Sequence, residues 1–338
     1  MLRRSSELTL SHVGLGVLNE YAAMTLCGDL LSRRLTEGTT NTVFDVTDAS
    51  GNHLYPGFFS THLVVPAEHP LDQYSLWREV SVAVEAESFG GMIVDSRFVF
   101  CSSGQALQAA GTFETAGLPY MRSGTLWVVE GSRGRQAVPA IPKRELVAKL
   151  PKLVEPPASI GKFEAVQAAG TVDQEFASQF RLPKPLRYEL HSGRDIAPGH
   201  AVMFSTFVWL QEHAERELLL KHLWPPLETG LLPCLQLRER ESYYIDNTYG
   251  DRAIEISARA RIEPCDADAS SPNAKRHIPI CQVTFVIEMY EERTGRLLFA
   301  SKGTKALAVP PDQKALLRSA ERVLFQMSSK QREIDVNG

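Results

Sequence analysis

Several function classes are disfavoured by what this sequence lacks. Its five cysteines, Cys27, Cys101, Cys234, Cys265 and Cys281, are odd in number and far apart, with no C-x-x-C pair. Neither a disulfide framework nor a zinc site is expected, and Cys27 and Cys281, set in apolar sequence, read as core residues. No apolar run approaches the roughly 18 residues that a membrane-spanning helix needs. The longest candidate, Ala201 to Leu210, has about half that length. The N-terminal MLRRSSELTL carries two arginines but no apolar core of a secretory signal, so a cytoplasmic protein is expected. Neither sign of charge dominates: 36 Lys and Arg stand against 40 Asp and Glu, a net charge of −4. That balance argues against nucleic acid as a partner. No metal and no bound cofactor are implied.

What is present is a pattern that occurs twice. The stretch LTLSHVGLGVLNEYAAMTLCGDLLSRRL (8–35) runs from strand-like sequence through a polar break into a long, unusually apolar helix. The stretch LRYELHSGRDIAPGHAVMFSTFVWLQEHAERELLLKHL (186–223) does the same. In the first helix Val17, Tyr21, Met24, Gly28, Leu31 and Leu35 recur at helical spacing; in the second Met203, Phe207, Leu210, Ala214 and Leu218 do. A helix apolar on nearly every side must be enclosed, and a curved antiparallel sheet is the simplest wrapper. Strand-like runs follow each helix: NTVFDVTDA, LYPGFFSTHLVV, SLWREVSVAVEAES, GMIVDSRFVF and GTLWVVEG after the first. After the second come CLQLRERESYYID, RAIEISARARIEP, ICQVTFVIEMYEE and LLFASKGTKALAV, the last two joined by a hairpin at Glu291 to Arg296.

At 338 residues two domains of ordinary size fit. The expectation is an α+β protein with a tandem, or double, hot-dog fold. Its parts are an N-terminal hot-dog domain over 1–145, a linker over 146–184 with room for a short helix, a C-terminal hot-dog domain over 185–310 and a helix over 311–330. Residues 266–276 (DADASSPNAKR) are expected to form a polar loop.

The string G-L-G-V-L-N-E-Y-A-A-M-T-L-C-G-D (14–29) resembles the polyketide-pathway double-hot-dog family of the leinamycin-type bifunctional acyltransferase/decarboxylase. Gly16, the triplet Leu18-Asn19-Glu20 and Cys27-Gly28-Asp29 occupy that family's recurring places. Tyr55, in G-N-H-L-Y-P-G-F-F (51–59), matches its central tyrosine; R-D-I-A-P-G-H-A-V-M-F (194–204) and A-E-R (214–216) extend the likeness into the second half. The resemblance implies an enzyme acting on a malonyl- or methylmalonyl-type thioester, decarboxylating it and transferring the acyl group to an acyl carrier protein. The substrate would ride on coenzyme A or 4′-phosphopantetheine.

That chemistry needs hydrogen-bond donors at the thioester oxygen. The start of a buried helix supplies unpaired N–H groups, so Val17, Leu18 and Asn19 are candidates, with Gly16, Glu20 and Phe204 as substrate-binding neighbours. Tyr55 is a further donor or, if activated, the acyl acceptor; alternatively it is one aromatic of a sheet. A second enzyme reading, thioesterase or dehydratase, rests on Asp195-Ile-Ala-Pro-Gly199-His200 and on His53. Asp195 would serve as base or nucleophile, or else cap the following helix. Glu20 equally suits a helix start, and Arg194 either binds an anion or makes a surface salt bridge. Residues 131–152 carry Arg133, Arg135, Lys143, Arg144, Lys149 and Lys152 against Glu145 alone. This patch suits the phosphates of coenzyme A or an acidic carrier protein. A non-catalytic carrier-binding module is the alternative of another class, and free sheet edges suit a homodimer.

Overall fold

The computed structural model describes residues 2–7, 13–14, 17–37, 42–74, 79–102, 117–130, 138–143, 149–196, 202–223, 231–248, 252–265 and 278–321. The first half runs β1 (Leu2–Glu7), β2 (Val13–Gly14), β3 (Val17–Leu18), α1 (Glu20–Thr36), β4 (Leu54–Val64), β5 (Glu79–Phe89), β6 (Ile93–Ser102) and β7 (Tyr120–Val129). After α2 (Ala158–Ala169) come β8 (Phe180–Arg181), β9 (Leu186–Glu189), one helical turn at Ser192–Asp195, and α3 (Phe204–Leu218). Strands β10 (Leu235–Tyr244), β11 (Ala253–Pro264), β12 (Ile278–Glu291) and β13 (Leu297–Val309) complete the chain's sheet.

The strands form one antiparallel sheet in the order β1-β5-β6-β7-β4-β10-β13-β12-β11-β8, with β9 also pairing β11. Split at the β4–β10 contact, its two halves have the same plan. In each, the strand before the helix lies at the outer edge and the strand after it lies at the seam. Each then finishes with three sequential strands between those two. This is the double hot-dog fold, and the duplication read from the helices extends to the strand order.

The helices sit where their patterns require. In α1, Ala22, Ala23, Met24, Cys27, Leu30, Leu31 and Leu35 are buried against the first half of the sheet, while Thr25, Asp29 and Arg33 are exposed. Each buried leucine of this kind contributes about 2 kcal/mol. In α3, Phe207, Leu210, Ala214 and Leu218 pack into the second core, and Val208 reaches across into the first. Cys27 and Cys281 are fully buried. The Glu291–Arg296 hairpin closes through Gly295 at φ 64°, a left-handed position that glycine adopts without strain.

Two local expectations are corrected. The run NTVFDVTDA is not a strand at its start: Val43–Asp45 form a 3-10 turn, because the Thr42 N–H and hydroxyl both donate to Asp45 Oδ2 at 2.8 and 2.7 Å. Such local side-chain bonding competes with a sheet ladder. The first edge strand is Leu2–Glu7, earlier in the chain than Leu8. The linker stretch 146–184, where a short helix had a place, carries α2 and β8, and α2 covers the seam: Phe163 packs on Phe59 with ring centroids 5.5 Å apart, and Val166 packs on Tyr243 and Ala300. The helix expected after 311 is present over 314–321, with Ala320 buried. The loop expected at 266–276 lies outside the described residues.

Candidate functional site

The seam ladder between β4 and β10 covers Ser60–Val64 and Glu239–Tyr243 and stops there. Beyond Ser60, the chain at Tyr55–Phe59 and the chain at Tyr244–Asn247 border a cavity of about 610 Å³ instead of pairing. The flank of α1 (Thr25, Gly28, Ser32), the start of α3 (Met203, Phe204, Ser205), strand β7 and the α2 residues Phe163 and Gln167 complete its wall. Most of the lining is apolar. Its charged members are Asp29 and Asp246, and no lysine, arginine or histidine lines it among the described residues.

The polar groups of this wall are few and placed by identifiable bonds. Helix α3 starts at Met203 with no side-chain cap. The Met203 N–H donates to the Asp195 carbonyl (2.8 Å) and Thr206 N–H to the Met203 carbonyl (3.0 Å). The N–H groups of Phe204 and Ser205 have no acceptor among the described residues. They are the orphan donors of a helix start, at the positive end of its dipole. The Thr125 hydroxyl, on a fully buried residue of β7, also lacks a partner among the described residues. Thr125 is among the residues that line the cavity.

The segment after β10 holds the cavity's other polar groups. Asn247 Oδ1 accepts from the Val202 N–H (2.8 Å) and its Nδ2 donates to the Val202 carbonyl (3.3 Å), tying the entry of α3 to the end of β10. The Asp246 side chain is 1 % exposed, accepts from the Asn247 N–H at 2.7 Å and ion-pairs with Arg296 Nη1 at 3.0 Å. Neither residue was singled out from the sequence. The available signal was a run of turn-forming polar residues, Asp246-Asn247-Thr248, where the strand-like run CLQLRERESYYID ends.

Of the residues expected at a site, Tyr55 and Phe204 line this cavity. Phe204 stands edge-on to Phe58, centroids 4.8 Å apart, over Gly28, where a Cβ would lie 3.0 Å from its ring. The start of α1 is not the donor set that was expected. The Asn19 side chain accepts from the Ala22 N–H at 2.8 Å and so caps its own helix, and the Leu18 N–H is bonded to the Tyr74 carbonyl at 2.9 Å. The backbone of Val17 pairs with Gly14 in the small β2–β3 hairpin. Asp195 lies away from the lining. It is buried and accepts from Tyr188 Oη (2.9 Å), His191 N–H (2.8 Å) and Arg194 Nε (3.1 Å). Burial opposes its charge, but these donors hold the carboxyl below its ordinary range. Arg194 is thereby engaged in a salt bridge. His53 is exposed, off the lining, its carbonyl bonded to the Glu130 N–H. Gly16, Arg133, Arg135 and His200 lie outside the described residues; His200 is two positions before Val202, which lines the cavity.

Glu20 sits in the first turn of α1, as a helix-start acid does, and is not part of the cavity lining. It is buried, with its carboxylate bonded by Arg240 Nε at 3.1 Å and Nη2 at 3.2 Å and by Gln211 Nε2 at 3.0 Å. Arg240 also pairs with Glu215 at 2.5 Å, and Lys305 with Glu215 at 2.6 Å. Burial works against the Glu215 carboxylate, yet Arg240 and Lys305 outweigh it and hold it below its ordinary range. Gly303 lies opposite Arg240 in the ladder, where any Cβ would collide with the guanidinium. One described cluster has cation-ligand spacing, His62, Glu239 and Glu241, on the seam strands. His62 already bonds Glu239 at 2.8 Å and Lys162 bonds Glu241 at 2.6 Å.

No protein-family model matches the sequence, and no curated protein matches it. Solved structures resemble it in fold. An acyl-ACP thioesterase from Bacteroides thetaiotaomicron superposes with a TM-score of 0.52 at 13% identity, over 90% of this chain and 96% of that one. The 12:0-ACP thioesterase from Umbellularia californica gives 0.53 at 11% identity, over 90% and 93%. At such identity the likeness carries the double hot-dog architecture alone. No helix among the described residues is long and apolar enough to cross a membrane.

Proposed function

We propose that the protein is an enzyme acting on acyl thioesters, and that its reaction is hydrolysis of a thioester with a mainly apolar acyl chain. The observation that carries this is the cavity at the open end of the seam. There the first turn of α3, with the unpaired N–H groups of Phe204 and Ser205, borders a largely apolar space. Its size falls within the roughly 300–1,000 Å³ of small-molecule sites. The solved neighbours named above include acyl-ACP thioesterases, which agrees with the reading.

In this mechanism the acyl chain lies among Phe58, Leu126, Val128 and Phe163. The thioester oxygen accepts from the Phe204 and Ser205 N–H groups, with the Tyr55 hydroxyl as a further donor. Preorganised donors of this kind are each worth about 10²–10³ in rate. Water adds to the carbonyl carbon and gives its proton to Asp246; the C–S bond then breaks, and the thiolate leaves as the thiol of coenzyme A or phosphopantetheine after taking that proton. General-base assistance of this sort contributes about 10²–10⁴. The carrier, coenzyme A or an acyl carrier protein, is recognised outside the cavity, and the exposed Lys143, Lys149 and Lys152 belong to the basic stretch suited to its phosphates.

Decarboxylative transfer from a malonyl-type thioester, implied by the family resemblance, is the alternative use of the same cavity and the same Tyr55. The described lining offers a malonyl carboxylate two aspartates and no cation, which favours hydrolysis of an apolar acyl group. The test follows thiol release from straight-chain acyl-CoAs, octanoyl to palmitoyl, beside malonyl-CoA with a phosphopantetheinylated carrier protein. Hydrolysis of the straight-chain substrates, reduced at least 100-fold in Asp246→Asn, is expected. A carrier gaining an acetyl mass from malonyl-CoA, with the straight-chain thioesters untouched, would replace hydrolysis by decarboxylative transfer.

A further inference from the structure

The two halves are related by an approximate two-fold axis. Their strand orders match, and β4 pairs antiparallel with β10, His62 standing opposite Glu241 at the middle of the ladder. The helices obey the same axis. Glu20 of α1 meets Gln211 of α3, and Gly28, two turns further along α1, meets Phe204 at the start of α3. The cavity is built from the first turn of α3, the flank of α1 and β4. Its counterpart position is therefore the first turn of α1, the flank of α3 and β10.

Ions fill that counterpart. Glu20 comes from the first turn of α1, Gln211, Glu212 and Glu215 from the flank of α3, Arg240 from β10 and Lys305 from β13. One antiparallel helix pair thus carries the cavity at one end and a buried ionic cluster at the other. With Glu212 protonated, two carboxylates face two cations. Ionised Glu212 adds an unbalanced negative charge beside Glu20 of the opposite helix. Arg240 Nη1 has no acceptor among the described residues, so an ionised Glu212 has a donor to move toward.

We propose that this cluster is the positioning element of the cavity: it sets how α1 and α3 cross, and Glu212 makes that crossing depend on proton occupancy. Closed crossing, with Glu212 neutral, keeps Phe204 seated on Gly28 and the first turn of α3 at the cavity wall. Ionisation of Glu212 pushes the helices apart at the far end and weakens the hold on the acyl group. Desolvation of the half-buried Glu212 carboxyl and the Glu20 charge push it up to about 7 against the pull of Lys305. The inference rests on the acyl-site reading of the cavity.

The test uses the full chain and a ketone analogue of dodecanoyl-CoA in which methylene replaces the thioester sulfur. Calorimetry gives its dissociation constant from pH 5.5 to 9 for wild type, Glu212→Gln and Lys305→Met, with thermal unfolding run in parallel. In wild type the constant is expected to rise several-fold through an inflection near neutrality. Glu212→Gln should hold the low-pH affinity throughout, and Lys305→Met should move the inflection upward. KM for dodecanoyl-CoA should follow the same profiles. A Glu212→Gln protein that folds and keeps the wild-type inflection overturns the proposal; so does a Lys305→Met inflection that stays in place. Binding of the analogue without hydrolysis of any acyl-CoA would sink the hydrolase reading while leaving the positioning role tested by the binding profiles. Absence of any binding by wild type would remove both.

Discussion

Replacing Glu212 by glutamine should stabilise the protein, and only above mildly acid pH. The carboxyl has an ordinary value of 4.5 and is pushed up to about 7 by burial and by Glu20. At 1.36 kcal/mol for each factor of ten in proton affinity, that rise corresponds to about 3 kcal/mol. The sign follows from proton binding. Below about pH 4.5 both folded and unfolded forms are protonated and the group costs nothing. Between 4.5 and 7 the folded form binds a proton that the unfolded form has lost, so wild-type stability falls as pH rises. Above 7 the folded form carries the full cost of a half-buried charge beside Glu20. Glutamine keeps the neutral shape and removes the titration. With an unfolding entropy of about 2.1 cal/mol/K per residue, a chain of this length shifts by about 4 °C for 3 kcal/mol. The assay is differential scanning calorimetry of both proteins at matched ionic strength from pH 4.5 to 8.5. The melting temperatures should coincide at the acid end and diverge to about 4 °C in favour of Glu212→Gln at pH 8. A difference constant with pH, or one that shrinks as pH rises, would refute the assignment of Glu212 as the raised carboxyl.

Other perturbations separate the cluster from the cavity. Arg240→Met leaves Glu20 and Glu215 buried without their main partner and should cost about 3–5 kcal/mol, read from the urea midpoint; a loss under 1 kcal/mol would mean the cluster is solvated. Gly303→Ala drives a Cβ into the Arg240 guanidinium and should cost about 1–3 kcal/mol by overpacking, with the loss much reduced in an Arg240→Met background. Tyr55→Phe should lower kcat about 10-fold or more with KM and melting temperature near wild type; unchanged kcat would remove Tyr55 from the donor set.

The architecture was legible where local pattern suffices. The apolar helices announced themselves by their spacing, and the repeated order of helix then strands pointed to two hot dogs. The run at 41–49 departs from a strand because Thr42 and Asp45 bond each other locally, which alternation of apolar residues does not reveal. The site was less legible, since its polar members meet only through the tertiary fold. Glu20 finds its partners at Gln211 and Arg240, about 200 residues away in sequence, so it read as an ordinary helix-start acid. Expectation also placed the donors at Val17, Leu18 and Asn19, because a buried helix start supplies unpaired N–H groups; the Leu18 N–H instead bonds Tyr74 and the Asn19 side chain caps its own helix. The uncapped start of α3 carries no side-chain mark at all. Asp246 was hidden as the last residue of a strand-like string, and only the end of the seam ladder gives it a cavity to face.

The most direct measurement is a crystal structure with the ketone analogue of dodecanoyl-CoA bound. The account requires the alkyl chain among Phe58, Leu126, Val128 and Phe163, with the carbonyl oxygen within hydrogen-bond distance of the Phe204 and Ser205 N–H groups. An analogue bound elsewhere, or one seated with its carbonyl against the start of α1, would contradict it.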